Sequence, residues 1–237
     1  MRLFCFPHAG GGAAAYRSWP DLIGEDIDIV AVRLPGRENR VVERRYRRMA
    51  DAVTDLCPVI RPLLTLPYAF FGHSLGTLVA FALACRLDEG DAPAAAHLFA
   101  AASRAPHAPP RGPALYDLPA GALIEQLRAY GGMPAEVLEQ RDLLQVLLPT
   151  IRDDFELGET YRPARAARLG CPVTALGGAA DETVSRQDLA AWQDVTTGPF
   201  ELAVVPGGHF AASRAESGVT ALVGAALRQG LPARRSG

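Results

Sequence analysis

The sequence predicts an α/β fold: a mostly parallel central sheet flanked by helices, with a helical insertion past its middle. Three observations point there. Short apolar runs alternate with longer stretches whose apolar residues recur at helical spacing. The run Tyr68-Ala69-Phe70-Phe71 is apolar on both faces, as a strand covered from both sides must be. The alternation breaks once, over residues 104–163, which is too long for a simple crossover.

Taken in order, Arg2 to Phe6 reads as a strand stopped by Pro7, and a glycine-rich loop follows over Ala9 to Gly12. Tyr16 to Leu22 reads as a short helix. Ile27 to Leu34 is a second strand, closed by the turn signal Pro35-Gly36. Met49, Val53, Leu56, Ile60 and Leu63 mark a helix that Pro58 and Pro62 bend or end. Tyr68 to Phe71 is the third strand. Leu75 to Leu87 is an apolar helix with Gly90 beyond its end, and Ala94 to Ala102 contains the fourth strand. The proline-rich stretch Arg104 to Pro119 is irregular. Helical spacing then covers Leu118 to Tyr130, Pro134 to Leu138 and Asp142 to Leu157. Alternation resumes with a strand at Pro172 to Leu176, a helix at Ser185 to Val195, a strand at Phe200 to Val205 and a helix at Glu216 to Leu227. A polar tail ends the chain. The expected organisation is a core of residues 1–103 and 164–237, with 104–163 as a helical lid above the sheet's carboxyl edge, where ligands bind in open α/β sheets.

Composition narrows the function classes. The 237 residues are 49% hydrophobic and 21% charged, which excludes a disordered chain. A formal charge of −2 gives no general attraction to nucleic acid or to an anionic membrane. The longest apolar run, Leu78 to Cys85, is too short to span a bilayer, and the run at the N-terminus is too short for a signal peptide. Cys5, Cys57, Cys85 and Cys171 are scattered, without metal-site spacing, so reduced thiols and a cytoplasmic location are the expectation.

The chemistry centres on Gly72-His73-Ser74-Leu75-Gly76, a G-x-S-x-G motif between a predicted strand and a predicted helix. That context is the one a nucleophile elbow requires. A serine hydroxyl needs a base to take its proton. Among His8, His73, His97, His107 and His209, only His209 follows the last predicted strand, within Pro206-Gly207-Gly208-His209-Phe210. His73 adjoins the serine and reads as packing; His97 and His107 read as surface or filler. The base needs an acid to orient it. Asp181 follows the penultimate strand, with Glu182 as the neighbouring rival, while Asp153 and Asp154 in the insertion are expected to face solvent. The order Ser74, Asp181, His209 matches that of α/β-hydrolases. Two amide donors are needed for an oxyanion. Leu75 supplies one; the loop after the first strand supplies the other, from Ala9 or, second, Gly10.

Phe6-Pro7-His8-Ala9-Gly10-Gly11, Leu34-Pro35-Gly36-Arg37-Glu38, the elbow, the turn from Gly177 to Asp181, and Gly207-Gly208-His209-Phe210 together resemble the type II thioesterases, the stand-alone editing enzymes of polyketide and nonribosomal peptide synthesis. The resemblance runs from Phe4 to about Leu227. It implies the α/β-hydrolase fold, a mobile lid, and hydrolysis of acyl groups from the phosphopantetheine arm of a carrier protein. It maps the catalytic triad onto Ser74, Asp181 and His209. It implies no metal or resident cofactor, since the phosphopantetheine arrives with the substrate, and a monomer is expected. Gly178 departs from the pattern, where a polar residue is anticipated. Leu118, Leu123, Leu127, Tyr130, Leu143, Leu147 and Phe155 either glue the lid to the body or line an acyl chamber. The stretch Arg33 to Arg48, with seven Arg and two Glu, is either a solvated loop or a docking patch for an acidic carrier, and Arg37 is expected to pair locally with Glu38 or Glu43. The competing readings are a carboxylesterase or acyltransferase, and a non-catalytic binding protein on the same fold.

Overall fold

The computed structural model describes residues 1–109, 111–133, 137, 139–163 and 167–230. Six strands form one sheet: β1 (Arg2–Phe6), β2 (Asp28–Ala31), β3 (Tyr68–His73), β4 (Leu98–Ala101), β5 (Val173–Gly178) and β6 (Phe200–Val205). Their order is β2-β1-β3-β4-β5-β6, and every pairing is parallel. Helices α1 (Trp19–Ile23), α2 (Met49–Ile60), α3 (Leu75–Asp88), α4 (Ala120–Tyr130), α5 (Arg141–Glu159), α6 (Arg186–Ala190) and α7 (Val219–Gly230) complete the described elements, with short 3₁₀ turns between them.

Strand side chains alternate between faces with period two, so the sheet splits its apolar residues into two cores. Phe4, Phe6, Phe70, Leu98 and Val173 pack against α2, α3 and Trp192. Leu3, Cys5, Phe71, Phe99 and Leu176 pack against α1 and α7 through Trp19, Val219 and Val223. The helix α3 is buried almost all round, which explains its unbroken apolar sequence.

Some elements differ from expectation. The strand β2 stops at Ala31 because β1, its partner, is stopped by Pro7; the last bond of the pair is Val32 N–H to the Cys5 carbonyl at 2.8 Å. Pro58 lies inside α2, and the helix tightens into a 3₁₀ turn over Arg61–Leu63 that takes in Pro62. The short helix expected at Pro134 to Leu138 falls largely outside the described residues, as does the end of the tail. In the insertion, α4 and α5 share a small core of their own, built on Leu123, Leu127, Leu144 and Ile151.

Two charge expectations are corrected. Asp154 does not face solvent: its side chain is 3% exposed and forms a two-pronged pair with Arg37, itself 6% exposed, at 2.8 and 2.9 Å. Arg37 therefore pairs with neither local glutamate. Glu38 is taken by Arg33, and Glu43 by Arg40 at 2.6 Å. Asp153, too, is drawn in by Arg45 at 2.6 Å. The cause is the seating of α5 against residues 36–47, which presents one row of its acids to that arginine stretch.

Two half-buried histidines, His8 and His97, are expected to make the fold acid-sensitive. His97 stacks on Phe99 with ring centres 4.2 Å apart, and its Nε2 meets Thr174 Oγ1 at 2.8 Å. Burial lowers its pKa to about 4, and burial likewise lowers that of His8 to about 4. Between the unfolded value of about 6.5 and those values, the unfolded chain binds more protons, so stability falls as pH falls. Each such histidine contributes a slope of about 1.4 kcal/mol per pH unit over that window. Urea titrations are expected to give a midpoint that declines steadily from pH 7 to pH 5 and is little changed by these groups above pH 7. A level midpoint across that range would remove the histidines from the balance.

Candidate active site

The chain passes from β1 out to β2 and returns to β3 on the other side of β1. The loops after β1 and β3 thus diverge, opening a crevice at the carboxyl edge of the sheet. Ser74 stands at the end of β3 with φ 53° and ψ −116°, a conformation rarely adopted by a side-chain-bearing residue. The flanking glycines make it possible. A Cβ at Gly72 would overlap the backbone of Thr77, and one at Gly76 would overlap the carbonyl of Phe6. The strained turn is secured by Ser74 N–H to the Ala101 carbonyl at 2.8 Å, and by the Thr77 hydroxyl to the Gly72 carbonyl at 2.7 Å.

His209 lies in the 3₁₀ turn His209–Ala212 after β6, and Asp181 in the loop after β5. His209 Nδ1 is 2.9 Å from Asp181 Oδ2, with the two side chains 5% and 1% exposed. An ionised carboxylate only accepts, so Nδ1 carries the proton and Nε2 keeps its lone pair. Asp181 Oδ1 accepts from the Thr183 amide at 2.8 Å and the Thr183 hydroxyl at 2.7 Å. Burial alone would raise the Asp181 pKa; the bonds from His209 and Thr183 outweigh it and hold the carboxyl below its ordinary value. Glu182, the sequence rival, is exposed.

The other histidines sort themselves by environment. His73 is fully buried, donating from Nε2 to the His209 carbonyl at 3.2 Å and accepting at Nδ1 from Ser213 Oγ at 3.1 Å. It supports the backbone of the His209 turn. Burial drives its pKa well below normal, and its ring centre is 5.2 Å from that of His209. His8 packs edge-on against His73 and Phe210. His107 lies beside Asp194 at 3.5 Å, on the surface.

Gly11 N–H bonds the His8 carbonyl at 2.9 Å, closing a tight turn over Ala9 and Gly10, with Gly10 at φ 75°. The Gly10 amide is occupied: it donates to Asp154 Oδ2 at 2.7 Å. The Ala9 amide has no acceptor among the described residues. Leu75 opens α3, where an amide has no intrahelical partner.

Two cavities meet at Ser74. One, of about 250 Å³, is apolar and lined by Leu127, Met133, Leu147, Phe155 and Phe210 together with Ser74 and His209. The other, of about 770 Å³, includes Ser74, His209 and Thr183 and carries Arg104, Arg111 and Arg162. The insertion covers the first. Tyr130 lies edge-on to His209 with ring centres 5.0 Å apart, and the backbone of Gly132 rests on the Phe210 ring so closely that no Cβ fits. Of the insertion residues singled out in the sequence, Leu127, Tyr130, Leu147 and Phe155 reach this cavity, Leu118 lines the larger cleft, Leu123 is core and Leu143 is exposed. Thr183 and Asp154 were not anticipated at the site. The signal for Thr183 was a hydroxyl two residues beyond the acid; Asp154, far away in sequence, gave none.

A family model described as a thioesterase domain matches residues 1–229. The gramicidin S biosynthesis protein GrsT of Aneurinibacillus migulanus is 36% identical over 210 residues, which cover 89% of this chain and 82% of that one. The structure of RedJ, a thioesterase from the prodiginine pathway of Streptomyces coelicolor, superposes with a TM-score of 0.90 at 35% identity, covering 95% of this chain and 90% of RedJ. That of BorB, a type II thioesterase from the borrelidin biosynthetic cluster, gives 0.86 at 33% identity, covering 96% and 92%.

Gly178, the departure noted in the sequence, has a steric reason. A Cβ there would overlap the carbonyls of Gly207 and Gly208, which lead into His209. Replacing Gly178→Ala is expected to destabilise the fold by about 1–3 kcal/mol in urea titration, the usual cost of forcing an extra carbon into a packed site. An unchanged midpoint would mean that the 207–208 backbone can yield freely.

Proposed function

The chain belongs to the thioesterase family, and on that footing we propose that it hydrolyses acyl thioesters on the phosphopantetheine arm of carrier proteins, clearing wrong or stalled acyl units from polyketide or nonribosomal peptide assembly. Ser74 is the nucleophile, His209 the general base and Asp181 its orienting acid. The observation that carries this reading is that Ser74 and a carboxylate-paired His209 line the same apolar cavity.

Each residue has a defined task. His209 Nε2 takes the Ser74 proton as Oγ attacks the thioester carbon. The charge that develops on the carbonyl oxygen is met by the Leu75 and Ala9 amides. The C–S bond then breaks, and the thiol leaves with the proton that His209 held. A thiol of pKa about 8.5 needs little help to depart. Water, deprotonated by His209, attacks the acyl-serine; the acid leaves and Ser74 recovers its proton. Asp181 stabilises the imidazolium at both stages. Desolvation keeps His8 and His73 neutral, so the carboxylate-paired ring carries the proton traffic. In this reading the apolar cavity takes the acyl chain and the arginine-bearing cleft admits the phosphopantetheine arm. The chemistry uses side chains, two amides and water, with no resident cofactor. A cytoplasmic setting is part of this proposal and rests on the scattered spacing of the four cysteines in the sequence; no described helix is long and apolar enough to cross a membrane.

Carrier docking narrows to a smaller patch than the arginine stretch suggested. Five of its seven arginines are held in ion pairs, with Arg33, Arg37, Arg40, Arg45 and Arg47 facing internal acids. Arg44 and Arg48 are exposed, as are Val41 and Val42 earlier in the same stretch. These are the residues assigned here to an acidic carrier surface.

Acyl-loaded carrier protein, followed by intact-mass spectrometry, is expected to return to the free thiol with wild-type protein and not with Ser74→Ala. Asp181→Asn is expected to slow the reaction by roughly 10³–10⁴-fold, by holding the base in the wrong tautomer. Inert carriers beside rapid cleavage of an oxygen ester would make the protein a carboxylesterase instead. A second measurement addresses docking: Arg44→Glu with Arg48→Glu is expected to slow carrier turnover while sparing a free acyl thioester. An equal loss on both substrates would remove the patch.

A further inference from the structure

We propose that Asp154 is a positioning residue for the oxyanion site: from the lid helix α5 it fixes the turn that presents the Ala9 amide, and Arg37 holds its carboxylate in place for that task. The inference rests on the functional reading above.

The contacts form a closed set. Asp154 Oδ2 accepts from the Gly10 amide at 2.7 Å and from Arg37 Nη1 at 2.9 Å, while Oδ1 accepts from Arg37 Nη2 at 2.8 Å. Arg37 spends its remaining donors on the loops themselves, on the Gly11 carbonyl at 2.9 Å and the Pro35 carbonyl at 3.3 Å. Thr150, one turn earlier on α5, bonds the Gly36 carbonyl at 2.9 Å. Ile151 packs against the α-carbon of Gly10.

A staple between helix and loop would not need charge. Apolar residues of equal volume hold buried surfaces together at least as well, because burying two charges costs desolvation. Burial indeed raises the Asp154 pKa, against the pull of Arg37 and the Gly10 amide. What the carboxylate adds is a directed acceptor. The turn from His8 to Gly11 has its third residue, Gly10, at φ 75°, the mark of the type II class. Types I and II differ by a flip of the central peptide, here the one joining Ala9 to Gly10. Asp154 grips the N–H of that peptide and so selects its sense. The same grip removes Gly10 as a donor to substrate and leaves Ala9 as the one presented. The oxyanion site is therefore complete only with α5 seated.

Donors of this kind act through placement, and a shift of about 1 Å costs on the order of 10²-fold in rate. Asp154→Asn keeps the shape but sets an amide NH2 against Arg37 Nη2 or against the Gly10 amide, so it cannot hold Gly10 and both prongs of Arg37. It is expected to lower kcat by about 10–100-fold with KM within about threefold, and to weaken a trifluoromethyl ketone, which forms an oxyanion on Ser74, by a similar factor. Hydrogen exchange of the His8–Gly12 amides, which needs no substrate, is expected to quicken. The double variant Arg37→Met, Asp154→Leu removes both charges while keeping volume, and is expected to fold and show the same losses. Thr150→Val, cutting a neighbouring α5 contact without touching Gly10, is expected to leave kcat and exchange unchanged. A folded Asp154→Asn protein with wild-type exchange in this turn overturns the proposal, as does one with wild-type kcat. Wild-type protein inert to every thioester would instead overturn the functional reading, while the exchange experiment still decides the role of Asp154.

Discussion

Gly76 sits so close to the carbonyl of Phe6 that no side chain fits between them, and the site is arranged around that approach. It presses the first turn of α3 onto the end of β1, one strand over in a sheet where Phe6 pairs with Gly72. Ser74 must then turn sharply to join β3 to a helix already in place, which is the origin of its positive φ. The loop leaving β1 is pushed to the same side, and Ala9 comes to line the cavities that Ser74 lines. The interior strands carry the geometry. The loops inherit it.

Within that frame, two buried carboxylates do opposite work. Asp181 is surrounded by donors from His209 and Thr183, and its charge is kept. Asp154 faces a guanidinium and a loop amide, and desolvation weighs against its charge. The first is bonded to an imidazole; the second is bonded to a backbone amide. Around them, His8 and His73 are held neutral by lack of water, and both press on the His209–Phe210 turn. A cluster of three imidazoles thus contains one with a carboxylate partner, and the division of labour follows from who is paired.

Much of this was legible in sequence because it is local. The two-faced apolar run of β3, the G-x-S-x-G elbow and the order of acid and histidine after successive strands need only neighbouring residues to be read. Arg37 was misread for the same reason. Its sequence neighbours Glu38 and Glu43 were plausible partners, but Arg33 and Arg40 claim them, and its true partner is 117 residues away. Asp154, adjacent to another acid on an amphipathic helix, has the pattern of a solvated face; only the docking of α5 on residues 36–47 turns that face inward. The insertion helices were visible by spacing, yet a helix between a small core and a cavity is apolar toward both. Spacing alone could not divide Leu123, which is core, from Leu127 and Leu147, which reach the cavity.

The insertion carries its own apolar cluster, and several of its members also wall the cavity above Ser74. The two larger clusters on the sheet hold the body together without them. Substrate range and body stability therefore reside in different residues. Substitution of Leu147, Phe155 or Met133 would reshape the cavity while leaving the packing of the sheet alone. Ile151 is the exception. It belongs to the small cluster, borders the cavity and bears on Gly10, so a change there would be felt at once by the insertion, by the cavity and by the loop after β1. One side chain thus ties the packing of the insertion, the shape of the cavity and the seat of the glycine loop to one another.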